Sequence, residues 1–458
     1  MSITKKSEIY IPIEIKPREF VSQLLLSGEL AKINLRVYLG SKKAIDHLVE
    51  NKKNKNGVYL YKGGGSTIDK FKKLSQLVSS IAVLDQEISP AFRDYKQIKN
   101  RFVKGSLKFV SRLYYVGPEA KKSAIEVLTD IEPSKIKSFG WPRVDVWEPS
   151  LHHIWEEEIK KIKSKFPNPF LFFCSDFGCN TEELVKQRSL WVENRGAKKS
   201  LNDIEWYRNF YAKNYKRFTE FIDFLEDINC DPQIPNIIIR PHPSEDHKVW
   251  EQKVKNFKNI YVVYEGDVSP WLLASEGLLH RGCTTAIEAA ISRKKIGFLH
   301  NFSSDHDNVS ALISTKINDI SSLKNWINDN NRIPIDNPKY FNLLKKHTTF
   351  SSERAVSKIA KDISTLCSKK VIPSDMNTNE TKTKTKTKTL FRIKVLLASL
   401  KRSIFKKKNY LPKFTKKNKM QDGINLVDCK HYLSLMYPEE NLNIENPSSE
   451  LIKIEKSI

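Results

Sequence analysis

Three short stretches of this sequence carry residue types and spacings that suit chemistry on an anionic ligand. The first is Arg240-Pro241-His242-Pro243-Ser244, which follows directly on the apolar run Asn236-Ile237-Ile238-Ile239. The two prolines stiffen the turn and hold His242 in a fixed pose, while the Arg240 guanidinium can offer a charge-assisted fork to phosphate, with Ser244 counted in the same donor-binding set. A rigid, well-packed loop whose histidine merely bonds the backbone is the plainer reading; position after a strand and the adjacent arginine favour the functional one.

The second stretch, Leu278-Leu279-His280-Arg281-Gly282-Cys283-Thr284-Thr285-Ala286-Ile287-Glu288, reads as strand, tight glycine turn and helix. First-turn amides beside Gly282, with the hydroxyls of Thr284 and Thr285, make a phosphate-binding helix start. Thr285-x-x-Glu288 is also a capping box, so Glu288 is shared between capping and contact to a ribose. The third stretch, Asp85-Gln86-Glu87, closes the apolar run Ser80-Ile81-Ala82-Val83-Leu84. Its two carboxylates suit a general base or a covalent nucleophile, although acid-rich surface turns are ordinary.

Weaker signals surround these. Gly63-Gly64-Gly65-Ser66 lacks the Gly-Lys-Ser/Thr of a P-loop. Cys174 and Cys283 follow buried-looking strands and have no placed histidine, so both are assigned to packing. Asp305, His306 and Asp307 could ligate a metal, but no metal and no cofactor is expected.

These groups need elements to hold them. Apolar runs near 9–15, 34–39, 58–61, 80–84, 112–116 and 136–139, separated by amphipathic segments, give a βαβ rhythm and a parallel sheet of about five strands. A second series runs through 169–174, 236–240, 261–264, 277–280 and 295–299, with Gly140-Trp141-Pro142-Arg143 and the charged helix 151–165 as the crossover. The expected architecture is α/β, two doubly wound sheets facing a cleft, with residues 1–150 and 151–367 as the two domains.

Past residue 367 the character changes to a low-complexity linker, 368–389, with a strict Thr-Lys repeat, and then a basic amphipathic appendage, 390–458. Residues 381–419 hold fifteen Lys and Arg and no Asp or Glu, more than half of the chain's net charge of +25. That concentration points to an anionic membrane surface met through 390–419, and no nucleic-acid-binding signature is present. At 458 residues the chain has room for two cores. No signal-peptide pattern, no membrane-length apolar window and six scattered cysteines lead to the expectation of a cytoplasmic protein, peripheral on the inner face of the cell membrane.

Five blocks in order resemble the bacterial surface carbohydrate biosynthesis proteins, relatives of the retaining Kdo transferases and of CDP-glycerol glycerophosphotransferases. They are Val83-Leu84-Asp85-Gln86-Glu87, Gly140-Trp141-Pro142-Arg143-Val144-Asp145, Phe177-Gly178-Cys179-Asn180, Arg240-Pro241-His242-Pro243-Ser244-Glu245, and Pro270-Trp271-Leu272-Leu273-Ala274-Ser275 followed by His280-x-Gly282-Cys283-Thr284-Thr285-x-x-Glu288-Ala289. The resemblance covers roughly residues 8–365 and implies a GT-B-like fold. It also implies a CMP-linked or other nucleotide-sugar donor held by His242, Thr284, Thr285 and Glu288, a glycan or glycolipid acceptor held by the first lobe, and Asp85 as the match to a nucleophilic aspartate beside Glu87. The chain departs from the family where Glu-Gly would be usual and Glu87-Ile88 stands. The expected activity is glycosyl transfer, with glycerophosphate transfer or a non-catalytic scaffold as alternatives.

Overall fold

The computed structural model describes residues 6–52, 57–64, 68–195, 201–303, 306–329, 334–349, 352–367, 423–448 and 450–457. The first sheet contains β1 (Glu8–Ile13), β2 (Arg36–Ser41), β3 (Gly57–Tyr61), β4 (Ser80–Leu84), β5 (Arg112–Tyr114) and β6 (Ile136–Lys137), all parallel. The second contains β7 (Phe170–Cys174), β8 (Asn236–Arg240), β9 (Ile260–Val262), β10 (Gly277–His280), β11 (Lys295–Leu299) and β12 (Thr315–Ile317), also parallel. Alternation along the strands explains why the second sheet is buried on both faces. Phe170, Phe172 and Cys174 enter a core continuous with the first lobe, while Leu171 and Phe173 enter a separate layer with Phe221, Trp250 and Trp326.

Strand order fixes where ligands meet each lobe. In the second sheet the order β12-β11-β10-β7-β8-β9 reverses between β7 and β10. In the first sheet the run β2-β1-β3-β4-β5-β6 reverses between β1 and β3. Loops diverge at such switch points and leave a crevice beyond the carboxyl ends of the strands. The two doubly wound lobes form the expected GT-B-like architecture.

Two boundaries differ from the sequence reading. The helix Ala355–Cys367, assigned above to the second domain, packs instead on the helix Lys16–Lys32, on Pro142–Val146 and on β3 and β4. Its buried Val356, Ile359, Ala360, Ile363 and Leu366 recur at helical spacing, and the Asp145 carboxylate accepts the backbone N–H groups of Ala355 and Val356 at 3.0 and 2.8 Å. The second correction concerns 390–458, expected as a basic appendage throughout. Residues 426–456 form the helix Leu426–Met436 and the hairpin β13 (Leu442–Ser448) and β14 (Leu451–Lys456). β14 pairs antiparallel with β2, Ile452 opposite Leu39 and Ile454 opposite Val37, so the first sheet has eight strands rather than about five. Ile452 and Ile454 are fully buried, which explains why this piece folds onto a core.

The linker 368–389 and the membrane-directed stretch 390–419 lie outside the described residues, as do Gly65, Ser66 and Asp305. Among the described residues no helix is long and apolar enough to cross a membrane.

Candidate functional site

The carboxyl ends of β7, β8 and β10 form one wall of the cleft, and a single buried carboxylate organises it. Glu245 accepts from Ser175 Oγ at 2.6 Å, Gly178 N at 2.8 Å, Trp250 Nε1 at 2.8 Å and, more loosely, His242 N at 3.3 Å. It ties the turn after β7, the turn after β8 and the helix His247–Val254 into one unit. Sequence reasoning quoted Glu245 only as part of a motif, because nothing in an isolated Glu announces four donors converging on it.

His242 sits on this unit, exposed at the cleft edge. Its Nδ1 lies 2.7 Å from Ser244 Oγ and accepts the Ser244 N–H at 3.2 Å. Nδ1 is therefore unprotonated in the neutral ring, and the single proton is on Nε2. Desolvation by the turns beneath the exposed ring lowers its pKa, with Glu245 and Asp176 opposing. The result is a neutral imidazole with one directed N–H donor. Ser244 thus orients His242, and its carbonyl accepts from Arg188 at 3.1 Å. Arg240 is used differently from the sequence expectation: Nη1 and Nη2 donate to the Glu265 and Gly266 carbonyls at 2.8 and 2.5 Å, so its fork holds the β9 exit loop.

The turn after β10 is equally constrained. Gly282 has φ +128°, and a Cβ there would stand 2.6 Å from Asn308 Nδ2, so only glycine fits. Its N–H donates to Nδ1 of buried His280 at 2.9 Å, and Nε2 of that ring meets Ser314 Oγ at 2.9 Å. Burial pushes the His280 pKa down to about 3. Because the unfolded chain binds this proton below pH 6.5 and the folded chain does not, the folded state loses stability as pH falls through that window. The expected slope from this group is about 1.4 kcal/mol per pH unit between roughly pH 6 and 4. Urea titrations at pH 7, 6 and 5 on the wild type and His280→Asn read it; equal acid slopes in the two proteins would remove His280 from the account.

Thr284 and Thr285 open the helix Thr285–Ile291, but the expected capping box is not formed. Thr284 makes no side-chain cap, and its Oγ1 lies 2.6 Å from Ser89 Oγ of the first lobe. The Glu288 carboxylate instead accepts from Ser269 Oγ at 2.6 Å. Burial raises the Glu288 pKa, opposed by Ser269, Arg143 and Arg240. Nearby Asp267 is pushed up to about 7 by burial, with Arg240 opposing and Glu288 reinforcing. Cys283 is pushed up to about 12 by burial and Cys174 well above the usual thiol range, which agrees with packing roles for both.

Across the cleft the two first-lobe acids separate. Asp85 is fully buried, and its carboxylate takes Arg101 Nη2 at 2.7 Å and Nε at 3.1 Å, a bidentate pair. Burial raises its pKa, with Arg101 opposing. That geometry is a strut between β4 and the loop carrying Arg101. Glu87 is 41% exposed and accepts from Arg18 Nη2 at 2.7 Å, with Lys62 Nζ at 3.7 Å. Burial pushes its pKa up, but Arg18 and Lys62 prevail and hold it below the usual carboxylate range. Lys62 follows β3 and Arg18 follows β1, so this charged group lies at the first lobe's switch point. The lobes touch at Ser89–Thr284 and where Val309 N donates to Ala91 O at 2.8 Å.

The structure thus brings His242, Ser244, Gly282, Thr284, Thr285 and Glu288 to the ends of the second sheet and sets Glu87 opposite them. Asp85 and Arg240 are spent on internal partners. Arg18, Lys62, Glu245 and Ser269 were not singled out from the sequence; each is a single polar residue whose meaning comes from partners distant along the chain. Among the described residues no group of His, Cys, Asp and Glu is placed to hold a metal ion.

No family model and no curated protein sequence matches the chain. Among solved structures, it is similar to the Methanocaldococcus jannaschii UDP-GlcNAc 2-epimerase in complex with UDP-GlcNAc and UDP, at 14% identity and a TM-score of 0.48, covering 78% of this chain and 99% of that one. It is similar to the wall teichoic acid polymerase TagF at 9% identity and a TM-score of 0.46, covering 79% and 88%. A third is the Neisseria meningitidis UDP-GlcNAc 2-epimerase bound to UDP-GlcNAc, at 11% identity and a TM-score of 0.42, covering 78% and 98%.

Proposed function

We propose that the cleft binds a nucleotide-activated sugar and that the protein transfers the sugar to a glycan or glycolipid acceptor of the cell surface, with a CMP-linked, Kdo-like sugar as the first donor to test. The observation that carries the reading is the neutral His242, its Nδ1 engaged by Ser244 and its Nε2–H left as a directed donor beside the switch point of the second sheet. A neutral donor of fixed tautomer, together with the Thr284 and Thr285 hydroxyls, suits a phosphate that gains charge as it leaves. In the transfer, the acceptor hydroxyl oxygen bonds to the sugar carbon and the carbon–oxygen bond to the donor phosphate breaks. The electron pair leaves on the nucleotide, and the hydroxyl proton passes to Glu87, which is ionised and solvent-accessible on the acceptor side.

With Asp85 buried in its ion pair with Arg101, a direct displacement that forms no covalent enzyme intermediate fits the first lobe, and glycerophosphate transfer from a CDP-linked donor is a second reaction of that kind. Product chromatography separates sugar from glycerol phosphate.

Titration with CMP, CDP, UDP and GDP and their sugar conjugates, read by thermal shift and calorimetry, tests the site. His242→Ala is expected to weaken the best nucleotide by about 10-fold or more, the worth of one hydrogen bond to a charged group. A wild-type protein stabilised by none of these compounds would overturn the donor-binding reading.

A further inference from the structure

One cation of the cleft has no partner. Arg143 begins the short helix Pro142–Val146, and among the described residues its guanidinium makes neither a hydrogen bond nor an ion pair. It stands over indole faces instead, 5.8 Å from the Trp141 ring centroid and 5.3 Å from that of Trp147. Both indoles are nearly fully buried; Trp141 Nε1 donates to the Asp85 carbonyl at 3.1 Å, and the Trp147 backbone carbonyl accepts from Ser292 Oγ at 3.0 Å.

The second of these bonds places Arg143. The contact between Trp147 and Ser292 joins the segment of Arg143 to the helix Thr285–Ile291, and Arg143 is close enough to Glu288 of that helix for each charge to act on the other. Glu288 does not neutralise it by contact, because its carboxylate faces Ser269. Like charge is close as well: Arg18 lowers the Arg143 pKa further, after burial, to about 10. Two polar groups of the same corner are buried without partners, the Arg18 Nε and both side-chain amide atoms of Gln86, which flanks Glu87.

Arg143 is part-buried, so its guanidinium is withdrawn from some of its water and still open to a ligand. Here the stacking supplies cation–π attraction but leaves all five N–H donors of a rigid, planar fork unanswered, and that fork matches phosphate oxygens. We propose that Arg143 is the first lobe's contact to the phosphate of the nucleotide donor, a binding residue that grips the single phosphate of a CMP-linked donor, or the diphosphate of a CDP- or UDP-linked one, from the side opposite His242. The proposal rests on the donor-binding reading of the cleft. It makes the site two-sided: the second lobe holds the nucleotide, and Arg143, kept against that lobe's helix by the Trp147–Ser292 contact, meets the phosphate from the first lobe, so that a nucleoside gives it nothing to hold.

The test compares wild type, Arg143→Gln, Arg143→Lys and His242→Ala by calorimetry, with nucleoside, nucleoside monophosphate, nucleoside diphosphate and inorganic pyrophosphate as ligands. Circular dichroism confirms that each variant is folded. Arg143→Gln is expected to lose on the order of 10- to 100-fold in affinity for the diphosphate, less for the monophosphate and none for the nucleoside. Arg143→Lys recovers only part, because an ammonium keeps the charge and loses the fork. Equal affinity of wild type and Arg143→Gln for the diphosphate, with His242→Ala weakened, overturns the role of Arg143 and leaves the donor site standing. Pyrophosphate binding that depends on Arg143 in a protein indifferent to every nucleotide upholds the anion contact and overturns the nucleotide reading. A uniform loss across nucleoside and diphosphate alike shows a structural role and sinks the proposal.

Discussion

Glu245→Ala is expected to be the most damaging single substitution in the second lobe, lowering its stability by about 3–5 kcal/mol. Four donors converge on this carboxylate, from Ser175, Gly178, His242 and Trp250, and the truncation leaves them facing a cavity. A domain of ordinary stability has only about 5–15 kcal/mol in total, so the variant should melt far below the wild type and become sensitive to protease. Glu245→Gln sets the scale. Its amide keeps the volume and one acceptor oxygen but turns an NH₂ toward groups that already donate, so an intermediate loss is expected. Thermal melts and limited proteolysis check both. A Glu245→Ala protein that melts within about 1 °C of wild type would show that water replaces the carboxylate and that the two turns and the helix do not depend on it.

The second large effect concerns Asp85. As half of a bidentate pair at 2.7 and 3.1 Å with Arg101, it is expected to act on stability before it acts on chemistry. Asp85→Ala strands the Arg101 cation and Arg101→Ala strands the carboxylate, each at a loss of about 3–5 kcal/mol. The double variant is expected to lose clearly less than the sum, because neither charge is left alone. A covalent nucleophile behaves otherwise: Asp85→Asn would stay as stable as wild type, bind donor normally and lose turnover. Denaturant melts of the four proteins of the cycle, set beside turnover of whichever donor binds, decide between strut and nucleophile.

Most strands and the turn positions of the second lobe were legible in the sequence because they depend on local pattern. Ile237-Ile238-Ile239 before a proline turn, and Leu278-Leu279 before Gly282, need only period and punctuation to be read. The roles of the same residues were less legible because partners decide them. Arg240 is indistinguishable from a phosphate ligand until the Glu265 and Gly266 carbonyls are placed, and Thr285-x-x-Glu288 reads as a capping box until Ser269 Oγ takes the carboxylate. The three-residue β12 is too short to show alternation, and the hairpin β13–β14 was hidden behind the charge of the preceding segment. In each case sequence distance is the reason: the deciding contact comes from another element.

The pairing of β14 with β2 has a temporal meaning. Gly40 faces Leu451 across more than four hundred residues of chain, so the first sheet is completed only after the whole second sheet has been synthesised. At roughly 5–20 residues per second, the edge of β2 is made tens of seconds before the strand that covers it. During that interval the second lobe, whose strands all lie between residues 170 and 317, has its whole sheet in hand. The nascent chain therefore carries a finished second lobe and an open first sheet, and that exposed edge is the point at which a chaperone, or another nascent copy, would meet it first.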